Sequence, residues 1–452
     1  MDFVESQRGQ PMILYEGYKF TLKKVNKNNT KCWRCADRTC GGSVTTDSTN
    51  RVVSVHQHSC IPSVAKSEIM KSRFRCKKRS QEEYTPIPQI FEEEFSRVKD
   101  AGLDFVIDMP GYSSIKSSLY RQRHSALGVC SLPKRREDIC LPPSITGEFL
   151  LIDDGMKDRI LMFSSNSGRQ CMNEDTEFFA DGTFKSCCQQ FSQLYSIHTD
   201  IANSPDELNV IPAIYALLPD KQQTTYERCF SLLKEKLPLW SPHVLKIDFE
   251  VAAIQGIRNV FPQIEVKGCN FHFNQSVWRR VQTLGLTTSY RDDADIRKHI
   301  HMCAALAHLP SWATEEGWLF IMESSPLSQG IEAFNDYFVD QWIENDIVND
   351  MWICYGEKHR TTNVVEGWHN RLNRRVGKMR PNIFELMKVL KEDAQHYESV
   401  KLKAEYFVQP AKRRKRYANL DMRINKCVQN FVNGVYTVGQ CLEKLKYIVK
   451  LD

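Results

Sequence analysis

The chain has 452 residues, 42% hydrophobic and 26% charged, enough for two to four domains and at least one large core. No stretch approaches the ~18 unbroken apolar residues of a membrane span, and the opening MDFVESQRGQ lacks the basic-then-apolar layout of a signal peptide. The 16 cysteines therefore read as reduced thiols or metal ligands rather than a disulfide framework. A net charge of +6 conceals a partition: residues 1–145 carry 24 Lys+Arg against 16 Asp+Glu, residues 371–452 carry 19 against 8, and residues 146–370 carry 18 against 31. Basic ends suit a polyanion such as nucleic acid, and an acidic middle suits divalent cations.

The first pattern lies in TKCWRCADRTC (30–40) and VVSVHQHSC (52–60). Fifteen residues separate Cys40 from His56, and one separates His56 from His58. RVVSVHQH reads as a strand, in which residues two apart project from one side. His56 and His58 are therefore expected to meet one Zn2+ together with the thiolates of Cys35 and Cys40. Cys32 and Cys60 have no assigned role. The surrounding strand-like pieces are too few for a core alone, and a structural zinc would supply the missing stability.

Residues 63–145 read as a basic helical connector, with RCKKRS (75–80), PKRRED (133–138) and the helix-like YSSIKSSLYRQRHSALG, whose basic face either contacts DNA or is simply solvated.

In FFADGTFKSC (178–187) an apolar run ends in a carboxylate, Asp181. A charge at the mouth of a core strand needs a cation or a fan of donors. QFSQLYSIHTDI and LNVIPAIYALLPD follow as strands, with a turn around Asn203-Ser204-Pro205, and QTTYERCFSLLKEKLP as an amphipathic helix. HVLKIDFEVAAIQGIRNVFP runs from strand to helix with Asp248 at the join, and IEVKGCNFHFNQSVWRRV repeats that layout. In a ribonuclease-H-like sheet the strands of Asp181 and Asp248 are neighbours, and paired carboxylates at one spot call for cations. HRTTNVVEGWHNRLNRRVG (359–377) is a helix with Glu366, His369, Asn370 and Asn373 on one polar face. Cys269 and His272 form a C-x-x-H that either orders the active site or DNA, with or without a metal, or is two buried polar groups. Cys303 and His308 would join it only if the chain folds back. Trp278, Trp312, Trp318 and Trp342 read chiefly as core, with base stacking the alternative.

Two resemblances follow from these residues. RGQPMILYEGYKF, CWRC, Cys40 and the H-x-H, over about residues 1–60, resemble a FLYWCH-type zinc finger, which implies binding of DNA or protein. FFADGTFKSC, LKIDFE, GCNFHFNQSVWRRVQTLGL and TTNVVEGWHNRLN, over about residues 146–380, resemble the catalytic domain of Mutator-like element (MULE) transposases. That second resemblance implies a DDE triad of Asp181, Asp248 and Glu366 holding two Mg2+ or Mn2+ ions, with Cys269, His272, His369 and Asn370 as candidate support. The 117 residues between Asp248 and Glu366 would then hold the family's all-α insertion. One departure is Thr362 where the family commonly has a second Asn.

The fold class expected is α+β: a small β-rich zinc module (1–62), the connector (63–145), a ribonuclease-H-like domain (146–282 and 356–380), a helical insertion (283–355) and a basic helical tail (381–452). In the tail, Lys412, Arg413, Arg414, Lys415 and Arg416 suit a nuclear-import receptor or a phosphate backbone. The function expected is metal-dependent cleavage of transposon ends in double-stranded DNA followed by strand transfer, by a nuclear homodimer or larger assembly with no membrane partner. The alternative is a domesticated DNA-binding transcriptional regulator that retains the fold.

Overall fold

The computed structural model describes every residue except 7–8, 100–105, 107, 129–131, 203–208, 407–414, 450 and 452. The chain divides into two compact units, one of residues 1–133 with 140–144, the other of 134–139 with 145–452.

In the first unit six strands form an antiparallel meander in chain order: β1 (Asp2–Glu5), β2 (Pro11–Tyr15), β3 (Tyr18–Val25), β4 (Lys31–Cys35), β5 (Ser43–Thr46) and β6 (Val52–His56). Glu16 and Gly17 join β2 to β3 with φ of 50° and 79°. Two positive φ values in a two-residue turn match the right-handed twist of the flanking strands. Alternation along β2 sends Ile13 to one face, where it packs with Phe20, Trp33, Cys35, Cys40 and Val44. Met12 and Leu14 go to the other face, against Met70 and Phe74 of α1 (Val64–Glu82). The strands and the helical stretch thus share a core. Helices α2 (Ile87–Lys99) and α3 (Tyr112–Leu127) pack with α1 around Ile69, Cys76, Ile90, Phe95 and Leu119. The basic run at 75–80 is largely committed within this unit: Arg75 pairs with Glu94, Arg79 with Glu83, Glu93 and Glu94, and Lys77 with Glu5.

The second unit is built on a seven-stranded sheet of β7 (Leu150–Asp154), β8 (Ile160–Phe163), β9 (Glu177–Thr183), β10 (Gln193–Asp200), β11 (Val210–Leu218), β12 (Val244–Ile247) and β13 (Glu265–Gly268). Its order is β13-β12-β9-β10-β11-β8-β7, with β12 parallel to both neighbours and every other pair antiparallel. The outer strands β7 and β8 were not among the strands expected from sequence, and the turn expected at 203–205 lies outside the described residues. Short helix α4 (Asn166–Glu174) follows β8. Helices α5 (Gln223–Lys236), α6 (Val251–Val260) and α7 (Asn270–Thr283) alternate with β12 and β13. Side chains of β11 alternate too: Ile214 and Ala216 join the core with Tyr226 and Phe230 of α5, while Tyr215 reaches Asp393 across the sheet.

Between α7 and the Glu366 helix lie α8 (Thr287–Asp292), α9 (Ala294–Ala305), α10 (Thr314–Glu323) and α11 (Gln329–Phe338). Then come α12 (Asn363–Val376), α13 (Ile383–Glu405), α14 (Lys415–Val432) and α15 (Val438–Leu445). Ile424, Cys427, Val428, Cys441, Leu442 and Leu445 of the last two helices lie in the same core as Met302, Leu306 and Ile321. The tail therefore closes the helical insertion. Trp342 is buried, Trp318 stacks on Phe338 and Trp278 packs edge-on to Tyr290. Trp312 is 67% exposed and stacks on Phe431.

Candidate zinc centre and carboxylate site

The metal-ligating cluster of the first unit is Cys35, Cys40, His58 and Cys60, whose ligand atoms all lie within 4.8 Å of one another. Cys40 Sγ is 3.4 Å and Cys60 Sγ 3.6 Å from His58 Nδ1, and Cys35 Sγ is 3.7 Å from Cys60 Sγ. This corrects the expected ligand set, which had His56 where Cys60 stands. Strand β6 ends at His56, whose side chain is exposed, and pairing with β5 goes no further. The two-residue alternation that would pair His56 with His58 stops two residues short. His58 instead turns inward and stacks on Tyr18, with ring centroids 3.7 Å apart. A Cβ on Gly42 would sit 2.4 Å from His58 Nδ1, so only glycine leaves room for this cradle. Burial raises the Cys40 thiol, but the backbone N–H groups of Gly42, Ser59 and Cys60 outweigh it and bring it to about 5. Burial, with Cys40 and Cys35 beside it, pushes Cys60 up to about 12. Crowded thiols, one of them already poised as a thiolate, fit a thiophilic cation such as zinc.

The second site begins in strand register. Parallel pairing aligns Val244 with Glu177, Leu245 with Phe178 and Lys246 with Phe179. Continued two residues, that register brings Asp248 level with Asp181. Phe178, Phe179 and Ala180 are buried, as the apolar run predicts. Burial, with Asp248 adding repulsion, raises Asp181 to about 7, against the pull of His272 and the Gly182 N–H. Burial likewise raises Asp248, with Glu250 adding to it and His272 opposing.

Glu366 arrives on α12, which rests on the sheet through Val364 and Val365 against Phe179 and Val210. Its Oε1 lies 3.3 Å from His272 Nε2. Burial works against the His272 cation, yet Cys269 and Glu366 hold its pKa at about 11. His272 is thus the local counter-charge to Asp181, Asp248 and Glu366. The three carboxylates do not themselves form a ligand cluster: the finger's is the only group of three or more ligating side chains within that distance among the described residues.

His369, 7% exposed, places Nδ1 3.5 Å from Asp181 Oδ2 and Nε2 3.3 Å from Ser196 Oγ, which in turn lies 2.9 Å from His198 Nε2. Burial lowers His369 to about 4, so it meets Asp181 as a neutral ring. Asn373 accepts from the Ser186 hydroxyl, whereas Asn370 is exposed. Cys269 meets Thr362 and His272, while the His308 ring lies 3.2 Å from Cys354 Sγ and not beside Cys303. The C-x-x-H and the Cys303–His308 pair therefore do not form one metal site. Lys412, Arg413 and Arg414 lie outside the described residues, and Lys415 and Arg416 open α14. Sequence reasoning passed over Cys60, Ser196 and His198. Only Cys60 left a signal, since His58-x-Cys60 repeats the spacing of His56-x-His58 two residues on.

The chain thus joins a β-module with a Cys/His cluster suited to zinc to a unit whose mixed sheet carries buried carboxylates. Residues 3–59 match the FLYWCH zinc finger domain, and residues 178–276 match the MULE transposase domain. Both resemblances seen in the sequence thus hold, and the second supports a transposase-family function. A zinc finger and a transposase domain together point to DNA as a partner. No match was found among curated proteins. No helix among the described residues is long and apolar enough to cross a membrane.

Proposed function

We propose that the chain is a DNA transposase of the MULE type, with Asp181, Asp248 and Glu366 as a DDE triad on a ribonuclease-H-like sheet. The observation that carries this reading is the parallel β9–β12 register, whose continuation by two residues past Lys246–Phe179 brings Asp248, just after β12, level with Asp181, with α12 packed over β9. The order β13-β12-β9-β10-β11, with β10 antiparallel to both its neighbours, is the arrangement expected of that fold.

Mg2+ or Mn2+ would be held by Asp181 and Asp248 with Glu366 completing the donor set, and such ions supply Lewis-acid activation of the attacking and leaving oxygens of a phosphodiester. The donor chemistry fits: two buried carboxylates with raised pKa are short of positive charge. His369 orients Asp181 through one oxygen while the Gly182 N–H holds the other at 2.8 Å. His272 offsets charge on Glu366 and steers its carboxylate. In this reading the finger positions the DNA ends, the basic tail serves nuclear entry, and two copies hold two ends.

The test is cleavage of DNA bearing the gene's own flanking ends in Mg2+ or Mn2+, comparing wild type with Asp248→Asn. Site-specific cuts lost in the variant, with a joined product, are the expected result. Binding of the ends without cutting, identical in both proteins, would overturn catalysis and leave a DNA-binding regulator.

A further inference from the structure

Cys269 stands where three pieces of chain meet. Its backbone N–H donates to the carbonyl of Ile247 at 3.0 Å, the residue before Asp248. Its sulfur accepts from both the backbone N–H and the hydroxyl of Thr362, each at 3.1 Å. Thr362 is the N-cap of α12, four residues before Glu366. Cys269 and Thr362 are 0% and 1% exposed, so water does not compete for these bonds. Next along, the Asn270 N–H donates to the Arg360 carbonyl at 2.9 Å, and one turn into α7 His272 reaches Glu366. From β12, buried Lys246 ties down the same returning segment through the Glu357 carboxylate and the His359 carbonyl.

The cap itself is irregular. A threonine at an N-cap ordinarily turns its oxygen to accept from the first free N–H groups of the helix. Thr362 makes no such bond and its hydroxyl proton goes to sulfur, a weak acceptor. Helix stability alone does not favour that choice. Joining α12 to the end of β12 does.

We infer that Cys269 is a positioning residue that links the end of β12 to the start of α12 and so fixes the spacing between Asp248 and Glu366. This rests on reading those two carboxylates as one metal-holding set. Cys269 belongs to no ligand cluster among the described residues. It acts through Thr362 on one side and Ile247 on the other, and His272 completes the joint by holding the Glu366 side chain.

The test uses the full chain as wild type, Cys269→Ala, Cys269→Ser, Thr362→Val and, for reference, Asp181→Asn. Four quantities are read: zinc content, melting temperature, Mn2+ binding by electron paramagnetic resonance, and amide exchange across 362–366. Outer-shell partners of a metal site are worth roughly 10–100-fold in affinity. Cys269→Ala is expected to weaken Mn2+ binding about 10-fold or more and to speed exchange at the start of α12. Zinc content should stay unchanged, and Cys269→Ser should restore part of the affinity. Wild-type Mn2+ affinity in Cys269→Ala, or loss of zinc from it, overturns the inference. If wild type binds no Mn2+, the proposed function fails and the joint is judged by exchange alone: faster exchange in Cys269→Ala and Thr362→Val upholds it, and wild-type exchange overturns it.

Discussion

Removing the carboxylate of Asp393 should unseat the helix that carries Glu366. Asp393 lies on α13 with no exposed surface, and four donors converge on it. They are Trp368 Nε1 at 2.8 Å, Arg371 Nη2 at 2.7 Å, Arg375 Nη1 at 3.0 Å and the Tyr215 hydroxyl at 3.2 Å. Three of the four belong to α12 and the fourth to β11, so one carboxylate pins helix to sheet. In Asp393→Ala the two guanidinium groups, 37% and 33% exposed, regain water and contribute little, each within the ~0–1 kcal/mol of a surface pair. The indole N–H and the phenol are 4% and 1% exposed and are left without an acceptor, at about 1–3 kcal/mol each. The expected loss is about 3–6 kcal/mol, read as a shift in urea midpoint. The decisive assay is a double-mutant cycle with Tyr215→Phe. In the wild-type background that change should cost about 1 kcal/mol. With Asp393→Ala already present it should be neutral or stabilising, because the orphaned hydroxyl is gone. Additive costs, or a loss below about 1 kcal/mol for Asp393→Ala, would refute the hub.

Two further outcomes are expected. Cys60→Ala should lose the zinc bound by the wild-type finger while His56→Ala keeps it, as measured by elemental analysis of the purified chain; the reverse result would restore the original ligand set. Burial holds His308 at about 3 in the folded state, below its ordinary value of about 6.5, so below pH ~6 the unfolded chain binds the extra proton and stability falls with pH. From pH 7 to 5 the wild type should therefore lose up to roughly 1.4 kcal/mol per pH unit relative to His308→Gln, and parallel denaturation curves for the two would sink the assignment.

The local grammar of this chain was readable where burial and periodicity coincide. Phe178–Ala180, the alternation of β2, and the polar and apolar stripes of α12 all follow from side-chain period, and the motifs carried both family resemblances. Features that failed to announce themselves depend on where an element stops or on contacts distant in sequence. His56 misleads because its strand ends two residues too early for its alternation to reach His58. Strands β7 and β8 are only five and four residues long, too short for a period to accumulate in the sequence. Cys269 was visible only as half of a C-x-x-H, because its partner Thr362 lies 93 positions away. The basic run at 75–80 reads as an open basic patch until Glu93 and Glu94 of α2 pair with Arg75 and Arg79.

The closure of the helical insertion by α14 and α15 sets a timetable for synthesis. Strands β9 to β11 leave the ribosome early, but the helix bearing Glu366 follows almost two hundred residues after Asp181, and the side chains that seal the core around Met302 and Ile321 come later still. At translation rates of about 5–20 residues per second, roughly 9–40 seconds separate Asp181 from Glu366. Asp181 and Asp248 together therefore wait roughly 6–24 seconds of that interval, the 118 residues from Asp248 to Glu366, for their helical partner. The triad proposed above is therefore complete only after α12 has been made, late in the order of the segments.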